Sequence, residues 1–252
     1  MPGRSCGIFR LRIYSWVIAK RLFRGRLIYN SSEEIIMIKA VIFDLDGVLV
    51  TTDELHYRAW KRLAVEMGIT GFTREDNIKQ RGVSRMKSLE ILLEKTDKRY
   101  TDGEKLRLAK RKNGYYRELL KTLTGNDVLE GAREFIAFLK ARGIKTAVGS
   151  ASANAPEILE RTGLLPLFDT IVSGADVTES KPDPQVFLLA ARRLGEPPEA
   201  CIVIEDSNAG IEAAKRGGMY AVAVGAAAGN PDADISLSGN EYEELKKILC
   251  DM

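Results

Sequence analysis

The chain has 252 residues, 45% hydrophobic and 29% charged, which suffices for one large core and a smaller appendage. Formal net charge is +3, yet seven basic residues and no acid lie within 1–32, so the remainder carries −4 and offers no basic surface for nucleic acid. One histidine excludes a multi-histidine metal site, and three distant cysteines (Cys6, Cys201, Cys250) exclude a disulfide framework or metal finger and fit a reducing, cytoplasmic setting.

Arg10 and Arg12 break the apolar segment 8–19, which falls far short of the roughly 20 residues that span a membrane. No small-residue cleavage site follows it, as a secretory signal would require. An arginine-rich, acid-poor leader is also the pattern of an organelle transit peptide. Glu33-Glu34, just before Met37, resembles a ribosome-binding site read through as protein. Met37 is therefore the expected start, and 1–36 an extension outside the fold.

From there, short apolar runs alternate with helical patterns. The runs are AVIF (40–43), TAV (146–148), TIV (170–172), IVI (202–204) and YAVAV (220–224). Helical stretches fall at 133–142, 155–162, 184–194 and 209–216, with Gly143, Gly163, Gly195 and Gly217 where each should stop. Continuous apolar strands between helices predict an α/β fold, a doubly wound, Rossmann-like parallel sheet over 37–52 and 126–252. Residues 53–125, between the first two strands, read as helix throughout. Leu55, Ala59, Leu63 and Met67 recur every four residues, and 87–95 and 102–123 are further helical stretches. One helix suffices for a parallel crossover, so this segment is expected to form a small helical domain, with linkers near 50–53 and 125–128.

Ligands of open α/β sheets bind beyond the carboxyl ends of the strands. Asp44 and Asp46 follow the first run, and Ser150 and Ser152 the second. Lys181 follows the third, and Glu205 and Asp206 the fourth. Carboxylates beside an anionic phosphoryl group demand a divalent cation, and Asp44, Asp46 and Asp206 offer hard oxygen ligands suited to Mg²⁺. Lys181 balances the charge, while Ser150 and the backbone N–H groups around Ala151 can donate to phosphoryl oxygens. A carboxylate nucleophile divides the transfer into two steps, and a second carboxylate two residues on can carry the proton.

FDLDGVLV (43–50), GSASAN (149–154), SKPDP (180–184) and IEDSNAGIEAA (204–214) resemble the four motifs of the haloacid dehalogenase superfamily, in order, from residue 38 to about 225. The resemblance implies Asp44 as nucleophile and Asp46 as general acid/base. It implies Mg²⁺ on Asp44, the Asp46 carbonyl and Asp206, with Glu205 an additional or supporting carboxylate, and it makes 53–125 a mobile α-helical cap.

TTDELHYRAW (51–60), KQRGVSRMKSLE (79–90) and LAKRKNGYY (108–116) are similar to the β-phosphoglucomutase branch of that superfamily. This implies interconversion of β-glucose 1-phosphate and glucose 6-phosphate through a 1,6-bisphosphate, by a monomer that binds neither nucleic acid nor membrane. By similarity, Arg85 clamps the remote phosphate with Ser152 and Asn154. Gly82 and Val83 meet the sugar through backbone, and Ser88 and Ala153 complete the substrate set. Lys112 and His56 support the acid/base system, and Thr52 positions Asp46. Ala153 stands where relatives often carry lysine, and Glu130-Gly131 replaces a common Pro-Gly. Ser84 can cap the helix that follows it, Trp60 reads as packing, and Tyr115 and Tyr116 carry no functional signal. A sugar-phosphate phosphatase on the same fold would use the same core residues, with water as acceptor.

Overall fold

The computed structural model describes residues 11–12, 35–36, 38–238 and 241–250. Within 1–36, β1 (Leu11–Arg12) pairs antiparallel with β2 (Ile35–Ile36), apart from the main sheet. The sequence predicted no element there; the rest of that segment, and Met37, lie outside the described residues.

The main sheet starts with β3 (Ala40–Phe43). Four helices follow, α1 (Asp53–Glu66), α2 (Arg74–Ile78), α3 (Arg85–Leu93) and α4 (Asp102–Leu120). The chain then alternates through α5 (Ala132–Ala141), β4 (Lys145–Gly149), α6 (Ala155–Arg161), β5 (Thr170–Val172), α7 (Gln185–Leu194), β6 (Cys201–Glu205), α8 (Asn208–Arg216) and β7 (Tyr220–Ala223). It ends with β8 (Ile235–Ser236) and α9 (Glu241–Cys250). The six strands are parallel, in the order β5-β4-β3-β6-β7-β8. Connections run outward in one direction from β3 and in the other from β6, so the topological switch lies between these two neighbours, where α/β sheets place ligands.

Successive residues of each strand serve opposite faces. Val41, Phe43, Val148, Ile202 and Ile204 pack with Phe135, Ile136, Ile158 and Leu245, from α5, α6 and α9. Ala40, Ile42, Ala147 and Val203 pack on the other face with Phe187, Ala190, Ile211 and Ala214, from α7 and α8. This double burial explains why the strands read as unbroken apolar runs.

The insertion has its own cluster, with Trp60, Leu63, Phe72, Leu89, Leu92 and Ala109 at its centre. The four-residue stripe on α1 is divided. Leu63 sits in this cluster with Met67 against it, whereas Ala59 belongs to the main core, with Leu55 packed on it. Thr73, Ser84 and Thr101 cap α2, α3 and α4, each side chain accepting from a backbone N–H of the first turn. Turns at Gly68, Gly71 and Gly82, all with positive φ, interrupt what the sequence read as continuous helix. Among the described residues no helix is long and apolar enough to cross a membrane.

Candidate active site

A cleft of about 260 Å³ lies between the carboxyl edge of the sheet and the insertion. Asp44, Asp46, Ser150, Ser152, Ala153, Asn154 and Asp206 line it from the sheet side. His56, Gly82, Val83, Arg85, Ser88 and Lys112 line it from the insertion. Three further expected site residues stand behind this lining: Thr52, Lys181 and Glu205 are fully or almost fully buried.

The tight turn after β3 is held by Gly47, whose N–H donates to the Val50 carbonyl at 2.8 Å and whose φ is +78°. Any Cβ there would strike the Asp206 carboxylate, so this glycine lets the two acidic loops approach. Asp44 is 6% exposed, and its Oδ1 accepts from the Lys181 ammonium at 2.5 Å. The same ammonium donates to Glu205 Oε1 at 2.5 Å. Glu205 Oε2 accepts from the Ser207 N–H at 2.7 Å and its hydroxyl at 2.9 Å. Glu205 is thus engaged through both oxygens, which is the supporting arrangement. Burial alone would lower the Lys181 ammonium; Asp44 and Glu205 override it and raise it above its ordinary value.

Burial pushes the Asp44 carboxyl up to about 7, with Lys181 opposing and Glu205 adding to the rise. Asp206 is driven up to about 9 by burial, then by Glu205 and Asp44, with Arg81 opposing. Two buried carboxylates beside Glu205, with Lys181 committed behind them, are short of positive charge. Among the described residues no three Asp, Glu, His or Cys side chains converge as a ready-made cage. A small hard cation that keeps waters and takes one or two carboxylates, a backbone carbonyl and substrate oxygens needs no such cage. The donor set fits that kind of ion.

Asp46 is pushed up to about 6 by burial, while a hydrogen bond from Thr52 restrains it. Thr52 Oγ1 donates to Asp46 Oδ1, and the Tyr116 hydroxyl donates to Thr52 Oγ1 at 3.1 Å. The buried ring of Tyr116 lies 4.0 Å, between centroids, from that of His56. His56 Nδ1 is 2.9 Å from Lys112 Nζ, which also sits 4.6 Å from the Trp60 ring centroid and 4.7 Å from that of Tyr116. Burial, then Arg85, holds the Lys112 ammonium well below its usual range, and burial and Lys112 do the same to His56. Tyr116, read as silent in the sequence, is therefore joined through Thr52 to Asp46. Its signal was its place in LAKRKNGYY, one turn beyond Lys112. Trp60 packs as expected and also carries the Lys112 amine on its face.

Arg81 and Asn113 are further residues that sequence reasoning missed. Arg81 pairs with Asp53 at the start of α1 and comes within 3.8 Å of Asp206 Oδ2. Asn113 Oδ1 accepts from Asn154 Nδ2 at 2.9 Å, tying α4 to the loop after β4. That loop folds on itself: Ser150 Oγ accepts from the Ser152 N–H at 3.1 Å, and Ser152 Oγ from the Asn154 N–H at 3.2 Å. Ala153 is exposed at its tip and brings no charge. Arg85 is half-buried on the cleft wall and has no ion pair or hydrogen bond among the described residues.

Residues 38–218 match the sequence profile of the haloacid dehalogenase-like hydrolases. The β-phosphoglucomutase of Bacillus subtilis is 44% identical over 189 residues, 74% of this chain and 83% of that protein. The phosphorylated carbohydrates phosphatase of Thermotoga maritima is 37% identical over 184 residues, 72% of this chain and 82% of its own. The solved structure of β-phosphoglucomutase from Clostridium difficile superposes with a TM-score of 0.79 at 36% identity, covering 85% of this chain and 98% of that one.

Proposed function

We propose, from the premise that the chain belongs to the haloacid dehalogenase-like hydrolase family, that it is a phosphomutase interconverting β-D-glucose 1-phosphate and β-D-glucose 6-phosphate. The observation that carries this reading is Arg85, an unpaired guanidinium on the wall of the cleft that also holds Asp44. A substrate phosphorylated at one end needs one anion site; a bisphosphate intermediate needs two. Similarity to the mutase of Bacillus subtilis supports the same reading.

In this proposal Asp44 attacks one phosphorus of glucose 1,6-bisphosphate, forming an aspartyl-phosphate as the bond to the sugar oxygen breaks and a glucose monophosphate leaves. Lys181 occupies Oδ1 and leaves Oδ2 for the attack. Asp46 gives its proton to the departing oxygen. Transfer back reverses the roles on a newly bound β-glucose 1-phosphate: Asp46 takes the proton of its C6 hydroxyl, that oxygen attacks phosphorus, and the bond to Asp44 breaks. The product is glucose 1,6-bisphosphate, which turns end for end and returns its other phosphoryl group to Asp44. Thr52 and Tyr116 orient Asp46, and the Lys112–His56 pair lies in the same network. The Ser150 hydroxyl and the Ala151 N–H would donate to the phosphoryl oxygens. Mg²⁺, held by Asp44, Asp206 and the Asp46 carbonyl, would offset the charge gathered on carboxylates and phosphoryl group. The insertion acts as a cap whose closure on the remote phosphate excludes water from the phosphoenzyme.

The second reading is a sugar-phosphate phosphatase, favoured by similarity to the Thermotoga maritima enzyme. One experiment separates them: glucose 6-phosphate formed from β-glucose 1-phosphate, with Mg²⁺ and a trace of the bisphosphate, measured against phosphate released. Glucose 6-phosphate in large excess supports the mutase; equal or greater phosphate release overturns it.

A further inference from the structure

The segment from α2 into the Gly82 turn carries polar atoms that no described residue satisfies. Asn77 Oδ1 and Gln80 Oε1 are buried and accept no hydrogen bond, and the neighbouring Arg81 Nε donates none. Asn77 is 7% exposed and Gln80 8%, and both line the catalytic cleft. The Gln80 amide is oriented, since its Nε2 donates to the Ser88 carbonyl at 2.8 Å and its oxygen is the end left over. Buried polar groups are nearly always paired in folded proteins, so three unpaired atoms within five residues on one wall of a cleft need a reason.

We propose that Asn77 and Gln80 are specificity-determining residues, each accepting a hydrogen bond from a hydroxyl of the bound sugar. The inference rests on the sugar-phosphate reading above and deepens it by naming what selects the ring between its phosphates. A neutral sugar donates hydrogen bonds only through O–H groups, and amide oxygens are pure acceptors. The pair is thus matched to the uncharged part of the substrate, where Arg85 and Asp44 are matched to its phosphoryl groups. A site built on buried acceptors rejects an analogue lacking the donor, because the acceptor then stays unpaired.

The test compares β-glucose 1-phosphate with its monodeoxy analogues, with Mg²⁺, in the unchanged protein and in Asn77→Leu and Gln80→Met. Hydrolysis of acetyl phosphate serves as a readout that needs the core alone. The unchanged protein should lose roughly 5- to 150-fold in kcat/KM on two of the analogues, the range for one missing hydrogen bond in a buried site. Each variant should lose its discrimination at one hydroxyl and keep it at the other, with acetyl phosphate hydrolysis falling far less than sugar turnover. A uniform fall on every substrate, or discrimination unchanged in both variants, overturns the proposal and leaves the sugar-phosphate reading standing. If a variant fails to fold, the analogue series on the unchanged protein decides, and absence of discrimination at any hydroxyl overturns the proposal. Failure of the unchanged protein to turn over any sugar phosphate overturns the underlying reading, and this inference with it.

Discussion

Among the described residues, Asp46 is gripped at one oxygen only. Thr52 donates to Oδ1, and Tyr116 steadies Thr52 from behind, so a single carboxylate oxygen remains to give and take a proton. In the proposed mechanism its backbone carbonyl, not its side chain, meets the cation. Asp46→Asn should therefore keep Mg²⁺ affinity and lose about 10²–10⁴-fold in sugar-dependent turnover, the usual share of a general acid/base. Magnesium titration by calorimetry beside the rate assay checks this, and lost affinity would show that the side chain is a ligand. Lys112 makes a second prediction from its burial. Its folded amine releases its proton more readily than the unfolded chain's, whose ordinary value is 10.5. The unfolded chain then binds more protons, so stability should rise with pH towards 10.5, and the buried amine costs stability below that window. Lys112→Met should raise Tm near pH 7, and the gain should shrink to nothing as pH nears 10.5. A gain that does not vary with pH would mean the amine stays charged when folded.

At the scale of elements, what the sequence revealed follows from what packs. All five apolar runs are strands of the sheet, because burial on both faces leaves an uninterrupted apolar signature. β8 has two residues and α2 five, too short for a period to register, and α9, which starts just after Gly239-Asn240, was not read from the sequence. Gly143, Gly163 and Gly195 take the left-handed conformation expected after a helix, but after α8 it is Gly218 that does so, while Gly217 stays right-handed. Paired glycines hide which one turns the chain. The residues expected from the motifs line the cleft or stand behind it, but Asn77, Gln80, Arg81, Asn113 and Tyr116 were not among them; Tyr116 and Arg81 meet their partners, Thr52 and Asp53, only in the fold. Gly82 shows how closely the insertion meets the sheet edge. Its φ is +70°, and a Cβ there would overlap the Ser207 hydroxyl at the cap of α8. Gly82→Ala should hold the insertion off the core and cut sugar turnover by about 100-fold, the scale of a misplacement of about 1 Å. Circular dichroism should stay near that of the unchanged protein and Tm fall by only a few degrees, the cost of alanine at positive φ, since the insertion has its own cluster; a collapse of both would show that closure is structural.

The whole molecule is two bodies of side chains facing one cleft, and the balance between mutase and phosphatase is a question of how they cooperate. A mutase must keep water from its aspartyl-phosphate and still surrender it to a sugar hydroxyl. Closure that depends on the sugar's remote phosphate meets both demands, because the phosphoenzyme alone gives the insertion nothing to close upon. Arg85 is the insertion's unpaired guanidinium on the cleft wall, and its planar fork can hold a phosphate through two hydrogen bonds at once. Ser152 and Asn154 stand on the opposite wall, and Asn154 is already joined to α4 through Asn113. Arg85→Ala should therefore lower glucose 6-phosphate formation far more than hydrolysis of the phosphoenzyme, which needs only Asp44, Lys181 and the cation. The partition, read as glucose 6-phosphate against free phosphate in one assay, should shift towards phosphate. Arg85→Lys should restore it poorly, since an ammonium supplies charge without the fork. Equal loss of both activities, or loss of neither, would take the remote phosphate away from Arg85 and return the choice to the phosphatase reading.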